Sequence, residues 1–101
     1  DNFIPLVTLS TEWEQIFAES IIENGEERQL SMAPSQLQSF INNVRTVMDD
    51  YSEKGESPVM LTSPAIRPFV RSIVERFRPE TEIMSQNEIH PKAKIKTLGQ
   101  I

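Results

Sequence analysis

A small α/β domain is the fold this sequence predicts: a three- or four-stranded sheet with helices packed on it, in the order β-α-α-β-α-β with an optional final β. Three observations predict it. Two stretches, 34–54 and 63–78, repeat apolar residues at helical spacing. Short β-rich runs at 6–9, 59–61 and 82–85 stand before, between and after the helical patterns. Proline, glycine and Asn-Gly signals separate them. Strand, helix and strand over 58–85 is the pattern of a parallel crossover.

Leu6-Val7-Thr8-Leu9 reads as the first strand, with Pro5 at its start, where a missing N–H does least harm. Ser10 or Thr11 then caps a helix, and Thr11-x-x-Glu14 fits a capping box. Trp13, Ile16, Phe17 and Ile21 give it one apolar stripe, and Asn24-Gly25 is a helix stop. Residues 26–32 read as a connector with room for a short extended stretch.

Pro34 suits the first turn of the next helix. Leu37, Phe40, Ile41, Val44, Val47, Met48 and Tyr51 form the longest stripe in the chain. Val59-Met60-Leu61 is a continuous apolar run, which suits a strand covered on both faces. Ser63-Pro64 reads as an N-cap and first-turn pair for a helix carrying Ile66, Phe69, Val70, Ile73, Val74 and Phe77. Pro68, one turn in, is expected to remove one helical hydrogen bond. Arg78-Pro79 closes this helix, and residues 82–85 form another strand. Residues 93–101 read as an edge strand, because Lys94 and Lys96 alternate with Ile95; the apolar phase breaks between Ile95 and Leu98.

With 101 residues there is material for one domain and one core. A hydrophobic content of 38% with 25% charged residues places the chain among globular rather than disordered sequences. The lack of cysteine removes thiol chemistry and leans toward a reducing compartment. No apolar run is long enough to span a bilayer, and the start at Asp1 points to a piece of a longer protein. The net charge of −5 is uneven. Residues 1–57 carry 11 acidic and 3 basic side chains, residues 58–101 carry 4 and 7. Such asymmetry reads as two ordinary solvated faces or as a field that steers partners or neighbouring subunits.

Catalytic signatures are sparse. His90 is the single histidine and sits beside Pro91 in a loop, a poor basis for a metal or acid–base site. Thr62 and Ser63 place hydroxyls at a strand-to-helix corner where hydrolases hold a nucleophile, but the flanking glycines of that motif are missing. No glycine-rich phosphate loop is present, so no cofactor is expected. Arg67, Arg71, Arg76 and Arg78 form a basic ridge on the helix face opposite Phe69, Ile73 and Phe77. The ridge reads as solvation and internal pairing, as a docking surface for an acidic partner or a neighbouring copy, or as a nucleic-acid contact. Overall acidity and a single tyrosine argue against the last. A small hydrolase or transferase at the Thr62-Ser63 corner and a generic nucleic-acid-binding module are the alternatives to a docking domain.

Residues 58–89 hold Leu61-Thr62-Ser63-Pro64, Ile66-Arg67-Pro68, Glu75-Arg76-Phe77, Pro79, Ile83-Met84-Ser85 and Asn87-Glu88-Ile89. This ordered series resembles the C-terminal region of the flagellar and virulence type III secretion export gate family, the FlhA/InvA-type proteins. The upstream VTLSTEWEQIFAES is similar to the preceding part of the same family, and the flagellar branch is favoured. The resemblance implies a single C-terminal subdomain, residues 1–101, of a larger cytoplasmic domain on the inner membrane's cytoplasmic face. It implies a non-enzymatic scaffold, with other copies in a nine-membered ring as partners. The export ATPase stalk protein would be a further partner. Export substrates and chaperones would bind through the full cytoplasmic domain, and the membrane would be met only through a missing N-terminal part. Thr62, Ser63, Pro64, Pro68, Asn87 and Glu88 would be structural motif residues.

Overall fold

Leu6 and Val7 are neighbours in one strand, so their side chains point to opposite faces of the sheet. Both are fully buried in the computed structural model, which describes residues 3–101. The sheet is therefore covered on both sides, as parallel sheets are. Its strands are β1 (Ile4–Thr8), β4 (Val59–Thr62), β5 (Ile83–Ser85) and β6 (Ile95–Gln100), in the spatial order β5-β4-β1-β6. All three pairings are parallel. The helices are α1 (Thr11–Ser20), α2 (Pro34–Glu53) and α3 (Arg67–Val74). A separate antiparallel hairpin joins β2 (Ile21–Asn24) to β3 (Glu27–Leu30).

Val7, Met60 and Ile83 occupy registered positions on one sheet face and enter the main core with Phe17, Phe40, Val44, Met48, Val70 and Val74. Phe40 of α2 meets Trp13 and Phe17 of α1 edge-on, with ring centroids 5.3 and 4.9 Å apart. Edge-to-face contact directs the positive ring edge at a negative face, adding to area burial. These three aromatics fix α1 against α2.

The final strand is present, and its broken phase has a cause. Leu6 pairs with Thr97 but Val7 pairs with Gly99, so Leu98 is an extra residue in a bulge. Tyr51 of α2 donates its hydroxyl proton to the Leu98 carbonyl at 2.6 Å.

Three local expectations change. The first helix stops at Ser20, not at Asn24-Gly25, and the short extended stretch within 26–32 is a paired strand, β3. Ser20 Oγ donates to the Ile16 carbonyl at 2.6 Å, and the β-branched pair Ile21-Ile22 follows in extended backbone. Asn24-Gly25 turns a hairpin instead. Gly25 has φ 69°, the left-handed value taken at the first central position of a type II′ turn. Second, the capping box on Thr11 is not formed. Ser10 is the N-cap and accepts the Trp13 N–H at 3.3 Å. Third, α3 starts at Arg67 with Ile66 as N-cap, so Ser63 is not its capping residue. Pro68 decides this. Proline is tolerated in a first turn, where its absent N–H has no helical acceptor, and the helix begins where that condition holds. The expected lost hydrogen bond is therefore avoided. Helical bonding continues past Val74 only as single turns up to Arg78.

Candidate docking surface

The Thr62-Ser63-Pro64 corner is held from two sides. Thr62 is buried, and its Oγ1 donates to the Ser63 carbonyl at 3.1 Å. Ser63 gives its backbone N–H to Glu14 Oε2 of α1 at 3.0 Å. The carboxylate assigned to a capping box thus ties α1 to a corner 49 residues away. The Ser63 carbonyl also accepts the Ile66 N–H at 3.3 Å, forming the turn that leads into α3. His90 Nδ1 accepts the Lys92 N–H at 3.1 Å within its own loop.

The four arginines do not share one surface. Arg67, Arg71 and Arg76 line a cleft of about 730 Å³ between α3 and the β5 edge, with Pro79, Ile83 and the carboxylates of Glu75, Glu80, Glu82 and Glu88 on its other walls. Arg78 points elsewhere: its side chain is 17% exposed, forms an ion pair with Asp49 of α2, and donates from Nε to Thr81 Oγ1 at 3.1 Å. The spacing of 67, 71 and 78 places these residues on one face only while the helix continues. It ends at Val74, and the turns that follow rotate Arg78 away. Arg78 is therefore a staple between α2 and the chain after α3.

Arg67 is also tied down. Its Nε forms an ion pair with Glu88 Oε1, in an orientation that does not make a hydrogen bond. Glu88 lies in a 3-10 turn, Gln86–Glu88, and accepts the Ser85 N–H at 3.0 Å and the Ser85 hydroxyl at 2.8 Å. Asn87 Oδ1 lies against the same hydroxyl. These bonds from Ser85 hold the Glu88 carboxyl below the usual glutamate range; Arg67 adds to the effect and partial desolvation opposes it. The signal for this turn in the sequence is Ser-x-x-Glu at 85–88, the same pattern that Thr11-x-x-Glu14 carries without forming the box.

Arg71 reaches Glu75 at 3.9 Å with both side chains mostly in water, an arrangement worth well under ~1 kcal/mol. Arg76 makes no ion pair among the described residues. Of the four arginines of the ridge, Arg71 and Arg76 are thus the least engaged by the fold, Arg71 through one weak exposed pair and Arg76 through none among the described residues. Such a surface suits charge-based recognition. No cluster of metal-ligand type and no helix long and apolar enough to cross a membrane occurs among the described residues.

Residues 1–94 match the FHIPEP family. The flagellar biosynthesis protein FlhA of Caulobacter vibrioides is 54% identical over all 101 residues, which make up 14% of that protein's length. The fold is shared with nonameric EPEC SctV-C, at a TM-score of 0.85 and 21% identity over 99% of this chain and 29% of that one. It is shared too with the CdsV and CdsO protein complex of Chlamydia pneumoniae, at a TM-score of 0.81 and 24% identity over 98% of this chain and 29% of that one. With the sequence match running across strand, helix and corner alike, the chain belongs to the FHIPEP family.

Proposed function

We propose that this chain is a non-enzymatic docking subdomain of a flagellar type III export gate protein, placed on the cytoplasmic face of the inner membrane by the rest of that protein. Identity of 54% to FlhA across the whole chain carries this reading. The chain spans about one-seventh of that relative, so export is an activity of the larger protein. In this reading the subdomain contributes contacts to a ring of copies, as in the nonameric SctV-C, and offers Arg71 and Arg76 to the export ATPase stalk protein. Export substrates and chaperones are met by the full cytoplasmic domain. A rigid corner, a covered sheet and unspent surface charge support docking, because recognition needs a fixed scaffold and complementary potential.

The test is Arg71→Glu combined with Arg76→Glu in the full-length protein. Arg67 is left intact because it supports the Glu88 turn. Stalk-protein affinity should fall about tenfold or more while circular dichroism and urea midpoint stay unchanged. Wild-type affinity and wild-type motility would remove the arginine assignment.

A further inference from the structure

The β2–β3 hairpin is fixed at its base and open at its tip. At the base, Ile21 and Leu30 pack against the core, and the Ser31 N–H donates to the Ser20 carbonyl at 2.6 Å. At the tip, Asn24, Gly25 and Glu26 are exposed, and Asn24 pairs with Glu27 as the last rung. A Cβ built on Gly25 would meet nothing within 4 Å. The Gly25 N–H has no hydrogen-bond acceptor among the described residues. The Asn24 side-chain amide has no partner there either, whereas the side chains of Asn42 and Asn87 each meet one.

Asn24 is the single asparagine of the sequence followed by glycine. Asn42 and Asn43 lie inside α2, where helical bonds hold the N–H that follows each. Asn87 is followed by Glu88, whose N–H donates to the Ser85 hydroxyl. Asn2 is outside the described residues and is followed by the bulky Phe3. An asparagine side-chain carbonyl is a weak electrophile. The next residue's nitrogen reaches it most readily when its N–H is unbonded and no Cβ crowds the approach, and glycine meets the second condition.

We infer that Asn24 is a deamidation site, converted without an enzyme to aspartate and isoaspartate. The Gly25 nitrogen loses its proton and bonds to Asn24 Cγ. The Cγ–Nδ2 bond breaks, and Nδ2 leaves as ammonia with that proton. Water then opens the succinimide ring at either carbonyl, giving the two products. Ring closure requires Asn24 to turn out of its extended backbone, so it waits on opening of the last rung. Frayed ends open at little cost in free energy, so the folded hairpin should react no more than about tenfold slower than an unfolded chain. Either product adds a carboxylate beside Glu23, Glu26 and Glu27. Isoaspartate also routes the main chain through Cβ, which breaks the rung between positions 24 and 27 and spares the one between Ile21 and Leu30. The inference is independent of the docking and ring readings.

The experiment incubates the folded full-length protein at physiological temperature and neutral pH, beside a synthetic peptide of residues 18–31 as the unfolded reference. Peptide mapping should find a mass gain of about one dalton on the fragment holding Asn24 and none on those holding Asn42, Asn43 or Asn87. Labelling by an isoaspartate-specific carboxyl methyltransferase should fall on the same fragment and vanish in Asn24→Gln. Hydrogen exchange of the aged protein should quicken at residues 23–28 and stay unchanged in α2 and β4. An Asn24 as inert as Asn87 after the peptide has fully converted would overturn the inference. So would conversion that appears only in urea, because the folded tip would then hold Asn24 away from the Gly25 nitrogen.

Discussion

The two edges of the four-stranded sheet are closed by different chemistry. β5 is three residues long, with Ile83 and Ser85 buried, and it runs straight into a turn held by Ser85, Glu88 and Arg67. β6 is six residues long and mostly exposed; its parallel ladder to β1 is interrupted by a bulge, and Tyr51 adds one neutral hydrogen bond there. One edge is finished by local polar contacts. The other keeps its outer side open and surrounds it with lysines. Lysines commonly guard edges against unwanted pairing, but they also select an acidic partner strand over a neutral one.

The largest expected effect is at the β6 edge. A Cβ on Gly99 would overlap the Tyr51 hydroxyl oxygen and lie 3.5 Å from its Cζ. Gly99→Ala should therefore displace Tyr51 and lower stability by about 1–3 kcal/mol, the range for overpacking. Urea unfolding checks this. Tyr51→Phe should cost about 1 kcal/mol by leaving the Leu98 carbonyl without its donor. Combined, the two should cost less than their sum, because both act on one contact. Strict additivity would show that Gly99 and Tyr51 do not act through one contact.

Much of this was legible in the residue pattern. The stripe from Leu37 to Tyr51 marks α2 because seven apolar side chains keep a helical period. The run at 59–61 marks a covered strand, and β4 lies between β5 and β1. Even the bulge left a trace, as the phase break between Ile95 and Leu98. The hairpin was hidden because Ile21 continues the spacing of α1, and Asn-Gly serves equally as a helix stop and a hairpin turn. Pairing with residues 27–30 chooses between them, and that is not local information. Within the candidate site, the arginines were found by spacing, but their division was not. Arg67 and Arg78 meet carboxylates at Glu88 and Asp49, 21 and 29 residues distant, and the end of α3 at Val74 decides who faces whom.

The smallest effect sharpens the contrast from the β5 side, through pH. Hydrogen bonds from Ser85 lower the folded-state pKa of Glu88 relative to its unfolded value, with Arg67 assisting. A carboxyl depressed in this way adds stability above the unfolded glutamate range, and the contribution disappears as pH falls through the folded-state value. From about pH 6 down to about pH 3, the wild-type urea midpoint should therefore fall slightly more than that of Glu88→Gln, which has no charge to lose. Salt should weaken the Arg67 part and spare the bonds from Ser85, since screening acts on exposed charge pairs more than on short hydrogen bonds. Tyr51→Phe should leave this pH difference unchanged, because its hydrogen bond to the Leu98 carbonyl lies at the opposite edge of the sheet. If Tyr51→Phe altered it, the two edges would be coupled through β4 and β1, and the separation drawn between them would fail.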